Sequence, residues 1–571
     1  MPIKPEDKKV RQKFLLLFLT TFIITNSVDT FSQNAKVSQQ KPQMLQSSPN
    51  GNNQLEIITY VEGFKKDESS RLGYSVAGIG DVNLDGFDDV LISNFDKGPG
   101  EVWLLYGGAE MDSLPDMVFY GENDYDNFGS TVAAGGDING DGAPDFLISA
   151  SSYYLPNDTS YTGPAGRLYV YYGGSLLDTI PDLTITGEKG GDVFGRRIVA
   201  GDVNGDLCND ILTSTVSFRY NNTSYGKAYL YYGGNVLDAI PEWTNIGDTS
   251  HTYLGSTLAI GDINSDQKQD ILIVSSPGGY NPAMTVTEIF LNKTGFDTIP
   301  DHRIIYPLYG DARETLLFCS DFNQDGIDDF LTKYYGYKIY YGSQQFDLES
   351  DAYLEPWPFT YIRHFADAGD VNGDGFPDVI GGAPHYVFET GSVQLFLGSK
   401  NINSTADWTA GGQGRLGIAV DGAGDVNGDG YDDIIVSDSV FPFTNIGRGI
   451  VYILAGNPDL EDNGASQVID QSKIKTPVSF KLQQNYPNPF NSQTTIHYEL
   501  KNIQKQPVKL TIHNIQGKEV ITLVEKMQSA GLYSGIWDGK DNSGNEMNSG
   551  VYLGVLKINQ VRQVIKMLLV K

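Results

Sequence analysis

The chain has 571 residues, with 40 Lys and Arg against 71 Asp and Glu, a formal charge of −31, 65 Gly and 2 Cys. A pI near 4.4 argues against nucleic acid or an anionic membrane as partner, because neutralising phosphates takes clustered Lys and Arg. Two Cys exclude a disulfide framework and a thiolate zinc site, and 40% hydrophobic residues exclude a disordered polymer.

In chain order, Lys4, Lys8, Lys9, Arg11 and Lys13 precede an apolar run from Phe14 to Ile24, followed by Thr30-Phe31-Ser32-Gln33. Basic, then apolar, then small and polar is the order of a signal peptide, here residues 1–32 with cleavage near Ser32. The run is too short to cross a hydrocarbon core of about 30 Å, and no later stretch reaches the roughly 18 apolar residues of a membrane helix. Residues 33–52, rich in Gln, Ser, Asn and Pro, read as a flexible lead-in.

Residues 53–457 are dominated by one internal repeat. The pattern Asp-x-Asn-x-Asp-x-x-x-Asp starts at 81, 137, 202, 262, 321, 370 and 425. Calcium takes six to eight hard oxygens at about 2.3–2.6 Å, and side chains at positions 1, 3 and 5 of a tightly curled loop converge on one point. Position 7 offers its backbone carbonyl, and the Asp at position 9 closes the shell. The predicted ligands are therefore Asp81, Asn83, Asp85, Phe87 and Asp89; Asp137, Asn139, Asp141, Ala143 and Asp145; Asp202, Asn204, Asp206, Cys208 and Asp210; and Asp262, Asn264, Asp266, Lys268 and Asp270. The last three loops supply Asp321, Asn323, Asp325, Ile327 and Asp329; Asp370, Asn372, Asp374, Phe376 and Asp378; and Asp425, Asn427, Asp429, Tyr431 and Asp433. Up to seven Ca²⁺ are expected. Gly at position 6 supplies the sharp turn in five copies, whereas Leu207 and Gln267 replace it in the third and fourth, which are the sites expected to be weaker.

The flanks repeat as well. Leu72-Gly, Phe128-Gly, Phe194-Gly, Leu254-Gly and Leu416-Gly open strands before the loops. Short apolar strands such as Asp89-Val-Leu-Ile-Ser follow, then Gly-ended aromatic strands such as Leu168-Tyr-Val-Tyr-Tyr-Gly, then an edge segment such as Asp116-Met-Val-Phe-Tyr-Gly. Four short strands per repeat predict blades, and seven repeats predict an all-β, seven-bladed β-propeller. Phe128-Gly129 and Gly382-Ala383-Pro384 resemble the FG-GAP repeats of the integrin α propeller, over residues 53–457. That resemblance implies metal in the hairpin between two strands of a blade and ligand binding by other loops. The acidic loop in all seven repeats and the lack of an inserted domain depart from integrin α and leave integrin-like ligand specificity unsupported. The last repeat lacks an edge segment, whereas Leu55-Glu-Ile-Ile-Thr-Tyr60 resembles one; this N-terminal strand is predicted to complete the seventh blade and remove an open edge.

After a linker at 458–478, the chain reads Asn485-Tyr-Pro-Asn-Pro-Phe490-Asn491, Val508 to Ile512, Gly517-Lys-Glu-Val520, Trp537-Asp-Gly-Lys-Asp541 and Gly550-Val-Tyr552. Alternating strands split by Asn, Asp and Gly turns indicate a small antiparallel β-sandwich. Residues 479–571 resemble the C-terminal sorting domain of type IX secretion. The resemblance implies that the type IX machinery is a partner and that the chain is released or displayed at the outer-membrane exterior of a Bacteroidetes-type bacterium.

Catalysis has little support. His251, His302, His364, His385, His497 and His513 are scattered, and no H-E-x-x-H, G-x-S-x-G or phosphate-loop motif occurs. Adjacent acids such as Asp88-Asp89, Asp328-Asp329 and Asp432-Asp433 would face opposite sides of a strand, and one of each pair is assigned to calcium. The sequence reads as a calcium-binding adhesion or capture module, not an enzyme, for an extracellular protein or polysaccharide. The alternative is an exported polymer-degrading hydrolase or lyase with an active site on a propeller face.

Overall fold

The computed structural model describes residues 55–460 and 479–570, apart from 64–70, 95–97, 156–162, 221–222, 236, 248–252, 276–283, 294, 308–316, 334–336, 345, 347, 355–361, 387–389, 401, 403, 413, 440–448, 483–484, 502–505, 515–517, 530, 543 and 559–560. The expected signal peptide, the lead-in and linker residues 461–478 lie outside the described residues. The chain divides into two units, Met1–Gln471 and Ser472–Lys571.

In the first unit the described residues form seven four-stranded antiparallel sheets. Their inner strands are Leu72–Gly80, Phe128–Gly136, Arg197–Gly201, Leu254–Gly261, Leu317–Ser320, His364–Gly369 and Leu416–Gly424. Each of these packs beside the next in chain order, and the seventh packs beside the first, so the sheets close a ring. Ile57–Glu62 pairs antiparallel with Gly449–Leu454 as the outermost strand of the seventh sheet, as its position before the first repeat predicts.

Packing follows from strand alternation in sheets that are covered on both faces. The second strands of sheets one to four, Asp89–Asn94 for instance, are buried at all six residues. Separate apolar clusters fill the seams between neighbouring sheets. Between the first two, Phe119 meets Tyr171 edge-on at 4.9 Å and Phe146 at 5.4 Å. The repeated aromatics are thus seam packing. The Gly of the Leu/Phe-Gly pair adopts a left-handed backbone, as at Gly129 (φ 85°) and Gly255 (φ 84°). A Cβ on Gly255 would stand 2.4 Å from that of Ser214, so both conformation and space call for glycine.

The inner strands of sheets one, two, six and seven carry a bulge beside the acidic loop, between Gly78 and Gly80, Ala134 and Gly136, Asp367 and Gly369, and Gly422 and Gly424. On the same face as the acidic loops, the hairpins joining third and fourth strands expose Leu114, Ile180, Ile240 and Ile299. The N–H of each is fixed by an Asp two residues earlier, at 2.6–2.8 Å.

The second unit holds a three-stranded and a four-stranded sheet around one apolar core that includes Ile496, Leu510, Trp537, Leu556 and Leu569. Asn485 donates to the Pro487 carbonyl and the Thr494 hydroxyl. The Asn488 amide joins the Lys566 carbonyl to the Leu568 N–H. Phe490 packs 5.4 Å from Trp537, which meets Tyr552 at 4.9 Å. Among the described residues no helix is long and apolar enough to cross a membrane.

Candidate metal centre

All seven acidic loops have one internal wiring, set by the covalent spacing of their acids. The carboxylate at position 1 accepts the N–H of position 5 at 2.9–3.2 Å. It also accepts the N–H of position 6 at 2.8–2.9 Å. The Asp at position 5 accepts the N–H of position 7 at 2.9–3.1 Å. These bonds curl the chain so that carboxylates, the Asn amide and the position-7 carbonyl share one short loop.

Position 6 requires a left-handed backbone, with φ of 92° at Gly86 and 90° at Gly142. Leu207 (72°) and Gln267 (65°) adopt it too, so the substituted loops keep the shape and carry the strain of a Cβ there.

The closing Asp has a second task. Asp89, Asp145, Asp210, Asp270, Asp329, Asp378 and Asp433 are fully buried. One oxygen of each accepts a backbone N–H at the end of its own third strand, from Gly107, Gly173, Gly233, Asn292, Gly342, Gly398 and Gly456, at 2.8–2.9 Å. In five loops the other oxygen accepts the N–H of position 2 at 2.8–3.0 Å. Burial, opposed by these N–H groups, raises Asp89, Asp145, Asp210, Asp270 and Asp433 to about 7 and Asp329 to about 8. Burial likewise holds Asp378 well above the carboxylate range.

Position 8 ties one loop to the next, which the sequence does not reveal. Asp88, Asp328 and Asp432 accept the N–H of Asp425, Asp262 and Asp370, each at position 1 of the preceding loop, at 2.7–2.9 Å. Their own N–H groups return to the carbonyls of the same residues, and the Asn209 N–H bonds Asp137 likewise at 2.7 Å. In each of the pairs Asp88-Asp89, Asp328-Asp329 and Asp432-Asp433 one acid is therefore a buried strut and the other a link between loops. Position 8 alternates among Asp, Pro, Asn and Gln along the chain, so no periodic acid marks it as a contact.

Among the described residues no three His, Cys, Asp or Glu side chains stand together as a finished metal cage; the acids turn toward N–H groups. Yet the donor set fits calcium: carboxylate, amide and carbonyl oxygens, all hard. A carboxylate oxygen that accepts one N–H keeps a second lone pair. No ion pair among the described residues uses a loop carboxylate, and the Lys268 ammonium turns away to the Lys293 carbonyl.

The FG-GAP repeat family matches residues 128–171 and 365–396, and the FlgD Ig-like domain family matches residues 490–557. Phosphatidylinositol-glycan-specific phospholipase D of Bos taurus is 26% identical over 231 residues, covering 36% of this chain and 26% of the relative. Integrin alpha-5 of Xenopus laevis is 34% identical over 148 residues, covering 25% of this chain and 14% of the relative. The chain thus spans about a quarter or less of these relatives' lengths. A solved structure of PorZ, described as a surface component of the type-IX secretion system of Porphyromonas gingivalis, overlaps 88% of this chain and 60% of its own at 11% identity and a TM-score of 0.25. Two segments of this chain thus match FG-GAP repeats, and they lie in a closed ring of four-stranded sheets, a β-propeller, followed by a C-terminal β domain.

Proposed function

We propose that the chain is an exported, calcium-loaded binding module that captures an extracellular protein or polysaccharide, with residues 479–571 addressing it to type IX secretion. One observation carries the calcium reading: the same hard-oxygen loop, wired identically, recurs in seven sheets on one face. Calcium neutralises carboxylates that otherwise stand uncompensated, so its role is to hold the scaffold while other loops meet the ligand. Integrin α similarity supports binding rather than turnover. The Asn485-to-Phe490 motif supports the export route, which places the chain in the secreted or cell-surface fraction.

The phospholipase D relatives favour a second reading, an exported hydrolase or lyase. The two are separated by titrating the full chain against panels of polysaccharides and extracellular proteins in 1 mM calcium, on the order of extracellular levels, with turnover followed in parallel. Saturable retention without turnover supports the binding module. Turnover that persists through purification and vanishes on replacing a carboxylate outside the loops overturns it.

A further inference from the structure

The inner strands reach the axis in register, which sets side chains of different sheets at one height. The residue four places after the closing Asp pairs with Thr131 in sheet two, Arg197 in sheet three, Thr257 in sheet four and His364 in sheet six. One rung of the axial channel therefore carries two hydroxyls, a guanidinium and an imidazole. Arg196 and Arg363 adjoin it on the side away from the acidic loops.

These cations come from well-separated sheets of the ring. Arg197 and Arg363 are the two charges acting on the half-buried His364 ring, whose affinity for a proton is lowered first by burial and then by both. Arg197 is half-buried and donates through Nε to the Ser256 carbonyl at 3.0 Å. No carboxylate is among the groups acting on it, which are Arg196 and Tyr74. The Thr131 hydroxyl is held at the Arg196 carbonyl, 3.1 Å away. A half-buried guanidinium has lost hydration that a carboxylate would ordinarily replace. Here no ion pair among the described residues supplies one to Arg197. In a chain of charge −31, positive charge gathered at one channel mouth is a local inversion of the field.

We propose that the channel mouth remote from the acidic loops is an oxyanion-binding site, in which Arg197, Arg363 and His364 hold one sulfate or carboxylate group. The planar fork of arginine matches such oxygens. The group is either a free ion or a pendant of an acidic polysaccharide. The site uses no loop carboxylate and is independent of the calcium reading.

The test is calorimetric titration of the full chain with sodium sulfate at constant ionic strength in calcium buffer. Wild type, Arg197→Gln, Arg197→Lys and Arg363→Gln are compared, with melting curves confirming that each is folded. One saturable site is expected, weakened at least tenfold in R197Q and R363Q and restored in part by R197K. Absence of saturable binding to wild type, or affinities of R197Q and R363Q equal to that of wild type, overturns the proposal. Dextran sulfate, with neutral dextran as control, separates the sources. Binding that free sulfate displaces and R197Q loses assigns a polymer pendant. Dextran sulfate no tighter than free sulfate per group assigns a free ion, and polymer binding indifferent to both sulfate and R197Q counts against the site. Metal content measured on the same samples keeps this outcome distinct from failure of the calcium reading.

Discussion

At the scale of single residues, position 9 differs from position 5 in what it holds up. Asp145 is buried and accepts the N–H groups of Gly173 and Ile138, both at 2.8 Å, whereas Asp141 is exposed and bonded only within its loop. In calcium-free urea unfolding, Asp145→Ala is expected to cost about 2–4 kcal/mol by orphaning two buried donors, and Asp141→Ala under about 1 kcal/mol. Both should lose a calcium equivalent; equal stability losses would contradict the strut role. Leu207 is 84% exposed in a left-handed backbone, so Leu207→Gly sheds strain without losing packing and should stabilise by about 1 kcal/mol. A further test concerns Asp421, raised to about 8 by burial and then by Asp367. A carboxylate raised in the folded state contributes most below its unfolded pKa, and the contribution is lost as pH rises through about 8. Asp421→Asn should therefore gain on wild type between pH 6 and 9, by at most about 1.4 kcal/mol per pH unit, less where water screens the pair. A gap independent of pH would refute this. The curl of the acidic loops was legible because covalent spacing alone sets it. The partners of position 9 and the links from position 8 were not, because they lie in another strand or another sheet.

Among elements, the most consequential is the outermost strand of the seventh sheet. Ile57–Glu62 ties the start of the ring to Gly449–Leu454, so deleting residues 53–62 bares the edge of Gly449–Leu454 and removes the apolar Leu55 and Val61, buried to 3% and 2% exposure, from the seam clusters they fill. The melting temperature should fall by several degrees or more, with new concentration-dependent association through the bared edge; an unchanged melt contradicts the closure. The strand was legible from counting edge segments, and the sheets from the four-strand period. The bulges were not, because sequence alternation hides a single extra residue. In the C-terminal unit the Asn485-to-Phe490 signature was legible only as a resemblance. The structure supplies the physics: Asn485 and Asn488 pin this segment to Thr494 and to the last strand. Asn485→Ala should destabilise that unit by about 1–3 kcal/mol, read by its own unfolding transition.

For the whole molecule, the controlling quantity is charge. Seven loops place three carboxylates each on one face, chained loop to loop by Asp88, Asp328 and Asp432, while the cations of the channel gather toward the other mouth. The closing acids are buried and raised, most of them to about 7, and the loops crowd carboxylates around the ring, so the proposed calcium binding would be coupled to folding. The most direct measurement is thermal unfolding of residues 33–478 with calcium and with a chelator, alongside elemental analysis of the purified protein. Five to seven bound calcium ions are expected and, on chelation, a fall in melting temperature on the order of 10 °C or more. No bound metal together with an unchanged melt would reduce the seven loops to acidic turns and rule out a calcium-loaded scaffold.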